Sequence, residues 1–318
     1  MRHQMRASGR PLIGVLHAAV LATICAIAPG LPLAADTQRH DREFWRGIAA
    51  AEYAVPEGES PIALVHELIG MLGSRDAEER DTFGYTITAR WIYGKEIFSA
   101  GELRELLSIL ESNLGDGLGE IGTDSVLKRS FSALNLSVLA AYDNKAPFLE
   151  EKEIRRLLDD ALAYFKGERD VRGYLPGVGW MHSVAHTSDL LKFLGRNRHL
   201  DAAGCRRILD AIASKQAAPD GGVYQWGEDE RMARAVLSIV RRGDFDVASF
   251  GGWLDGLASR AHGLWEGDLD TARFAEVQNI KNLLRSLFVI LHAEAVGDGE
   301  PGPVGEARGL ILAALGKL

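Results

Sequence analysis

The chain has 318 residues, 47% hydrophobic and 25% charged, with a formal net charge of −8. That length accommodates one large or two medium domains with a substantial core. An acidic balance with no basic stripe argues against nucleic acid and anionic lipid surfaces as partners.

Arg2, Arg6 and Arg10 form a basic head, followed by an apolar run over 11–28. Pro29, Gly30 and Pro32 close the run, and the small pair Ala34–Ala35 precedes Asp36. This order predicts a secretory signal peptide over 1–35 and an exported protein, periplasmic or secreted. A retained anchor is the rival reading, because the run approaches the ~18–20 residues that span a bilayer. The Pro/Gly break and the small exit favour cleavage. Ile24 before Cys25 argues against a lipid-modified signal, which needs a small residue there. Cleavage after Ala35 would leave 283 residues, 36–318, as a single helical domain with a formal charge of −11. Cys205 would then be its sole cysteine, so stability must come from packing rather than disulfides. No later stretch is apolar and long enough to cross a membrane.

The remainder reads as helices. Ile62, Val65, Leu68, Ile69 and Leu72 share one helical face within 60–73. Ser99 with Glu102 makes a capping-box pattern ahead of Leu103, Leu106, Leu107 and Leu110 in 99–114. Similar stripes run through 124–142, 151–165, 180–195, 201–216, 229–242, 246–260, 271–296 and 303–317. The segment 82–93 carries Thr and Tyr, yet its spacing also suits a helix. Short breaks such as GDGLG at 115–119 and PDGG at 219–222 separate these segments, and no convincing strand alternation appears. An acidic, Gly-rich stretch over 297–305 is expected to break the chain before a last helix. About eleven helices with short turns predict an all-α fold of stacked antiparallel pairs, an α/α superhelix or HEAT-like solenoid. The prediction rests on element order, since no strict sequence repeat is present.

Chemistry concentrates between Arg169 and Leu191. Pro176, Gly177 and Gly179 predict a turn, with a helix starting near Gly179 or Trp180. His182 and His186, four apart, then share a face with Asp189. Two imidazoles and a carboxylate at this spacing suit a divalent metal such as zinc, which would acidify a bound water. The zinc-protease pattern requires Glu after the first His, and Ser183 stands there. The competing reading is a set of hydrogen-bonded packing residues.

The runs Arg172-Gly173-Tyr174, Gly179-Trp180-Met181-His182-Ser183-Val184-Ala185-His186 and Asp189-Leu190-Leu191 resemble the signature of the domain-of-unknown-function 2785 family. Lys128-Arg129-Ser130-Phe131-Ser132, Glu228-Asp229-Glu230-Arg231 and Asn279-Ile280-Lys281-Asn282-Leu283-Leu284-Arg285-Ser286-Leu287 resemble further blocks of it. The resemblance covers about 60–295 and implies a helical-repeat-like bacterial protein without an established activity. Typical members lack an export signal, so residues 1–35 are a departure.

Arg172, Trp180, Glu228, Asp229 and Arg231 are candidate pocket residues: an acid from 228–230 as third ligand or base, the arginines as anion binders. Acids opening a helix also complement its dipole. Tyr224 and Trp226 are candidate wall residues or ordinary core aromatics. His262 and His292 are lone histidines. Cys205, beside Arg206 and Arg207, lacks an evident base and reads as a structural thiol. GDGLGEIG at 115–122 lacks the strand and lysine of a phosphate loop. Three functions remain open: a scaffold binding a ligand or protein partner, a metal-assisted hydrolase, and a purely structural histidine cluster.

Overall fold

The computed structural model describes residues 40–294 and 302–318. The signal-peptide reading of 1–35, and most of the expected break at 297–305, lie outside the described residues. The described chain is all-α but for one short ribbon. Its helices are α1 (Arg42–Ala50), α2 (Pro61–Met71), α3 (Ala100–Asn113), α4 (Ser125–Lys145), α5 (Glu151–Gly167) and α6 (Ser183–Gly195). They continue with α7 (Ala202–Lys215), α8 (Glu228–Val240), α9 (Val247–Ala258), α10 (Thr271–Glu294) and α11 (Pro303–Leu315). Between α2 and α3 the chain winds into wide-turned π helix over Glu78–Ile87 and Arg90–Gly94.

Local signals set the helix starts. The Ser99/Glu102 capping box opens α3, with both reciprocal bonds made. Asp201 caps α7 by accepting from the Gly204 N–H at 2.8 Å, and Pro61 takes the first turn of α2, where a missing N–H costs nothing.

The helices form two layers. α4, α6, α8 and α10 pack side by side as an inner layer, each against the helix two places along the chain. α5, α7, α9 and α11 follow one another in a second layer behind them. Ser130 and His186, both early in their helices, meet across α4 and α6. Asn144, at the far end of α4, donates to the Phe193 carbonyl near the end of α6. Asp189, midway along α6, accepts from Arg231 in the first turn of α8, while Arg242 reaches the Gly195 carbonyl at their ends. The inner helices therefore run parallel, and the alternate helices carry the chain back, as expected for stacked antiparallel pairs.

One apolar cluster runs from Trp45 to Ala314 through both layers. α4 is buried on nearly every face, so its polar residues pair internally. Arg129 donates from Nε to Glu168 at 2.7 Å and from a terminal nitrogen at 3.2 Å, and the pair is fully buried. Further bonds from Arg129 to the Asp116 carbonyl and Ser125 Oγ, both 2.8 Å, satisfy the guanidinium.

Candidate functional site

The Gly/Pro turn of 172–182 folds as a hairpin, not as the start of a helix. β1 (Tyr174–Leu175) and β2 (Gly179–Trp180) pair antiparallel, with Tyr174 opposite Trp180. Met181 N–H donates to the Gly173 carbonyl at 2.8 Å and His182 N–H to the Arg172 carbonyl at 3.2 Å. Gly179 takes φ 94°, a conformation costly for any residue with a Cβ, and lies against the buried Arg80. Arg80 spans the junction, donating to the Val178 and Ser74 carbonyls at 2.9 and 2.8 Å. Helix α6 begins at Ser183. His182 is consequently its N-cap, in left-handed conformation at φ 49°, rather than a residue within the helix. Non-glycine residues held there are strained, and such strain concentrates at functional sites.

Even so, His182 and His186 converge. Their ring centroids are 5.7 Å apart, and both line a groove of about 570 Å³. Its walls are Asp81 and Tyr85 of the π helix, Phe131 of α4, His186, Asp189 and Lys192 of α6, Arg231 of α8, and Trp180. The volume is typical of small-molecule sites. An adjoining recess of about 380 Å³ shares Tyr85 and Phe193 and continues toward Tyr93. π-helical turns recur at functional sites, and here the wide turn supplies one whole wall.

Each histidine has one nitrogen committed to structure. His182 Nε2 lies 2.8 Å from the Trp226 carbonyl. A carbonyl only accepts, so Nε2 carries the proton and Nδ1 is the bare lone pair. His186 Nδ1 lies 2.8 Å from Ser130 Oγ. The Ser130 hydroxyl has a single proton, which it donates to the Met181 carbonyl. His186 Nδ1–H must therefore be the donor, leaving Nε2 bare. Burial lowers the basicity of His182; for His186 burial acts first, and His182 and Arg231 add to it. Both rings are neutral at pH 7.

The charged walls are balanced. Asp189 accepts from Lys192 Nζ at 2.8 Å and, on its other oxygen, from Arg231. Arg231 keeps 44% of its side chain exposed. Arg80 Nε is 2.9 Å from Asp81 Oδ1, but the pair lacks hydrogen-bond alignment, so the contact is electrostatic. Burial raises the Asp81 pKa, and burial followed by Asp189 raises that of Tyr85.

Of the candidate residues, Trp180, His182, His186, Asp189 and Arg231 meet in this groove. The others do not. Arg172 is tied to Asp170 and the Thr123 carbonyl, Asp229 accepts from Ser286, and buried Glu228 accepts the Trp226 N–H. Among the described residues, no three His, Cys, Asp or Glu side chains gather as a metal-binding group. Tyr224 is buried, its hydroxyl donating to the Lys215 carbonyl. Cys205 sits beside a recess of only about 80 Å³, and burial pushes its thiol to about 11. Arg206 and Arg207 turn instead to Asp210 and Asp159. Sequence reasoning missed Asp81, Tyr85 and Lys192, which carry no motif. Ser130 was visible only as part of a block shared with a family.

No curated protein and no solved structure matches the chain. Residues 114–289, more than half of the chain, match the family described as "Protein of unknown function (DUF2785)". That segment supplies the hairpin, both histidines and every groove wall except the π helix, and the chain belongs to this family.

Proposed function

We propose that the protein is an exported binding protein whose small polar ligand occupies the groove between the π helix, α6 and α8. The observation carrying this reading is the mixture of walls on one 570 Å³ space: exposed Trp180, half-exposed Arg231, carboxylates, and two neutral imidazoles. Aromatic faces give contact area, and the few charged groups fix orientation. A ligand bearing an anionic group would share Arg231 with Asp189. The hydrolase reading has less support, because the carboxylate it would use, Asp189, is held between Lys192 and Arg231. Export rests on the basic head, apolar run and small-residue exit of 1–35.

Thermal-shift screening of the purified chain against small carboxylates, amino acids, phosphates and sugars tests the reading. A ligand at a hundredfold its Kd adds about 2.7 kcal/mol of stability. At least one class should raise the melting temperature, and Arg231→Ala or Trp180→Ala should remove the shift. If nothing at millimolar concentration shifts it, or the hits survive both substitutions, the groove is not a binding site.

A further inference from the structure

We propose that His182 Nδ1 and His186 Nε2 together hold one divalent late transition-metal ion on the floor of the groove. The argument begins with the tautomers. Trp226 forces the proton onto His182 Nε2, and the Ser130–Met181 relay forces it onto His186 Nδ1. The two remaining nitrogens are the lone pairs a metal needs. Neither is among the buried side-chain atoms lacking partners, and neither has a hydrogen bond among the described residues. Both therefore open onto the groove their residues line.

The spacing allows it. With metal–nitrogen bonds of about 2.0–2.1 Å, two imidazoles on one ion have centroids roughly 4.5 Å apart at a right angle and about 5.2 Å apart at the tetrahedral angle. The observed 5.7 Å, with the rings at 80°, corresponds to an angle opened to about 125°. The surroundings agree as well, since ligating imidazoles are oriented by giving their other N–H to a carbonyl or polar group. His182 holds left-handed backbone, and its N–H is fastened to the Arg172 carbonyl at 3.2 Å. Trp180 stacks on the His182 ring at 4.3 Å and fixes its plane.

Two protein ligands leave coordination positions open in a groove that Arg231 and Tyr85 also line. The metal then supplies Lewis acidity, and Arg231 a charge, to one small chelating oxyanion such as a dicarboxylate. This ligand class rests on the binding reading above; the metal site does not.

Copper(II) electron paramagnetic resonance on the full chain carrying His3→Ala, purified without chelators, tests the site, because an N-terminal amine with histidine at position three chelates copper(II) by itself. One copper per chain with hyperfine splitting from two nitrogens is expected. His186→Ala should leave one nitrogen and weaken binding at least tenfold, while His262→Ala and His292→Ala should change neither. Because His186→Ala also orphans Ser130, His182→Asn serves as the second variant, since asparagine tolerates left-handed backbone. A wild-type signal with fewer than two nitrogens, or a two-nitrogen signal surviving both variants, overturns the site. With copper bound, oxalate should perturb the spectrum in wild type and not in Arg231→Ala. If oxalate fails while two nitrogens persist, the metal site stands and the chelating-ligand class falls.

Discussion

Ser130→Ala probes the construction of the groove most directly. Ser130 is fully buried, and its one hydroxyl serves two partners, the Met181 carbonyl and His186 Nδ1–H. Alanine fits the space and removes both bonds. Each buried polar group left unpaired costs about 1–3 kcal/mol, so the expected loss is roughly 2–5 kcal/mol. Domains are stable by only about 5–15 kcal/mol. For a chain of this size each kcal/mol lowers Tm by about 2–4 °C, which puts the drop near 5–15 °C. Calorimetry supplies that number. Nitrogen-15 spectra of the imidazoles supply the second readout: protonated Nδ1 on His186 in wild type, and a shift toward protonated Nε2 in the variant as the ring escapes its orphaned contact. A Tm drop of under about 2 °C, or a wild-type His186 already protonated at Nε2, would refute the hydrogen-bond relay and the tautomer drawn from it.

Three other outcomes follow from the same structure. In Gly173→Ala the new Cβ would overlap Trp226 Cδ1 and Cγ, so the indole must swing away, at a cost of about 1–3 kcal/mol. Lower Tm with altered near-ultraviolet dichroism is expected, and an unchanged spectrum would contradict the packing. Arg129→Met leaves Glu168 buried without its cation, and unfolding free energy in urea should fall by about 3–5 kcal/mol; a loss below about 1 kcal/mol would disprove the pairing. Both groove histidines bind protons less readily folded than unfolded. Below about pH 6.5 the unfolded chain therefore holds more protons, and stability falls as pH falls, by up to about 1.4 kcal/mol per unit per histidine. Melting curves from about pH 7.5 to 5.5 measure it, and His186→Gln should flatten the slope; equal slopes would count against His186.

Helices announced themselves where one face is apolar over three turns or more. Leu103, Leu106, Leu107 and Leu110 behind the Ser99/Glu102 box marked α3 to within a residue. α1 has only nine residues and two buried ones, Trp45 and Ile48, too little pattern to detect. The segment around Phe83 is helical as its spacing indicated, but π and α turns differ by a fraction of a residue, and close contact of Gly84 with α2 is a tertiary fact. Two-residue strands are too short to alternate, which is why the 174–180 ribbon was hidden and the start of α6 was expected three or four residues early. The pairing of His182 with His186 was legible because it is local. Ser130, 56 residues from His186, and the π-helix wall join them only through the layering of inner helices.

The bonds that build this groove join residues about one helical hairpin apart: 56 for Ser130 to His186, 44 for His182 to Trp226, 42 for Asp189 to Arg231. In such arrays each coil leans only on its neighbours and is free to fray separately. An occupant touching the π helix, α6 and α8 at once would brace several coils as a single cooperative block. Protection against amide exchange would then spread along these helices to turns that the occupant never touches.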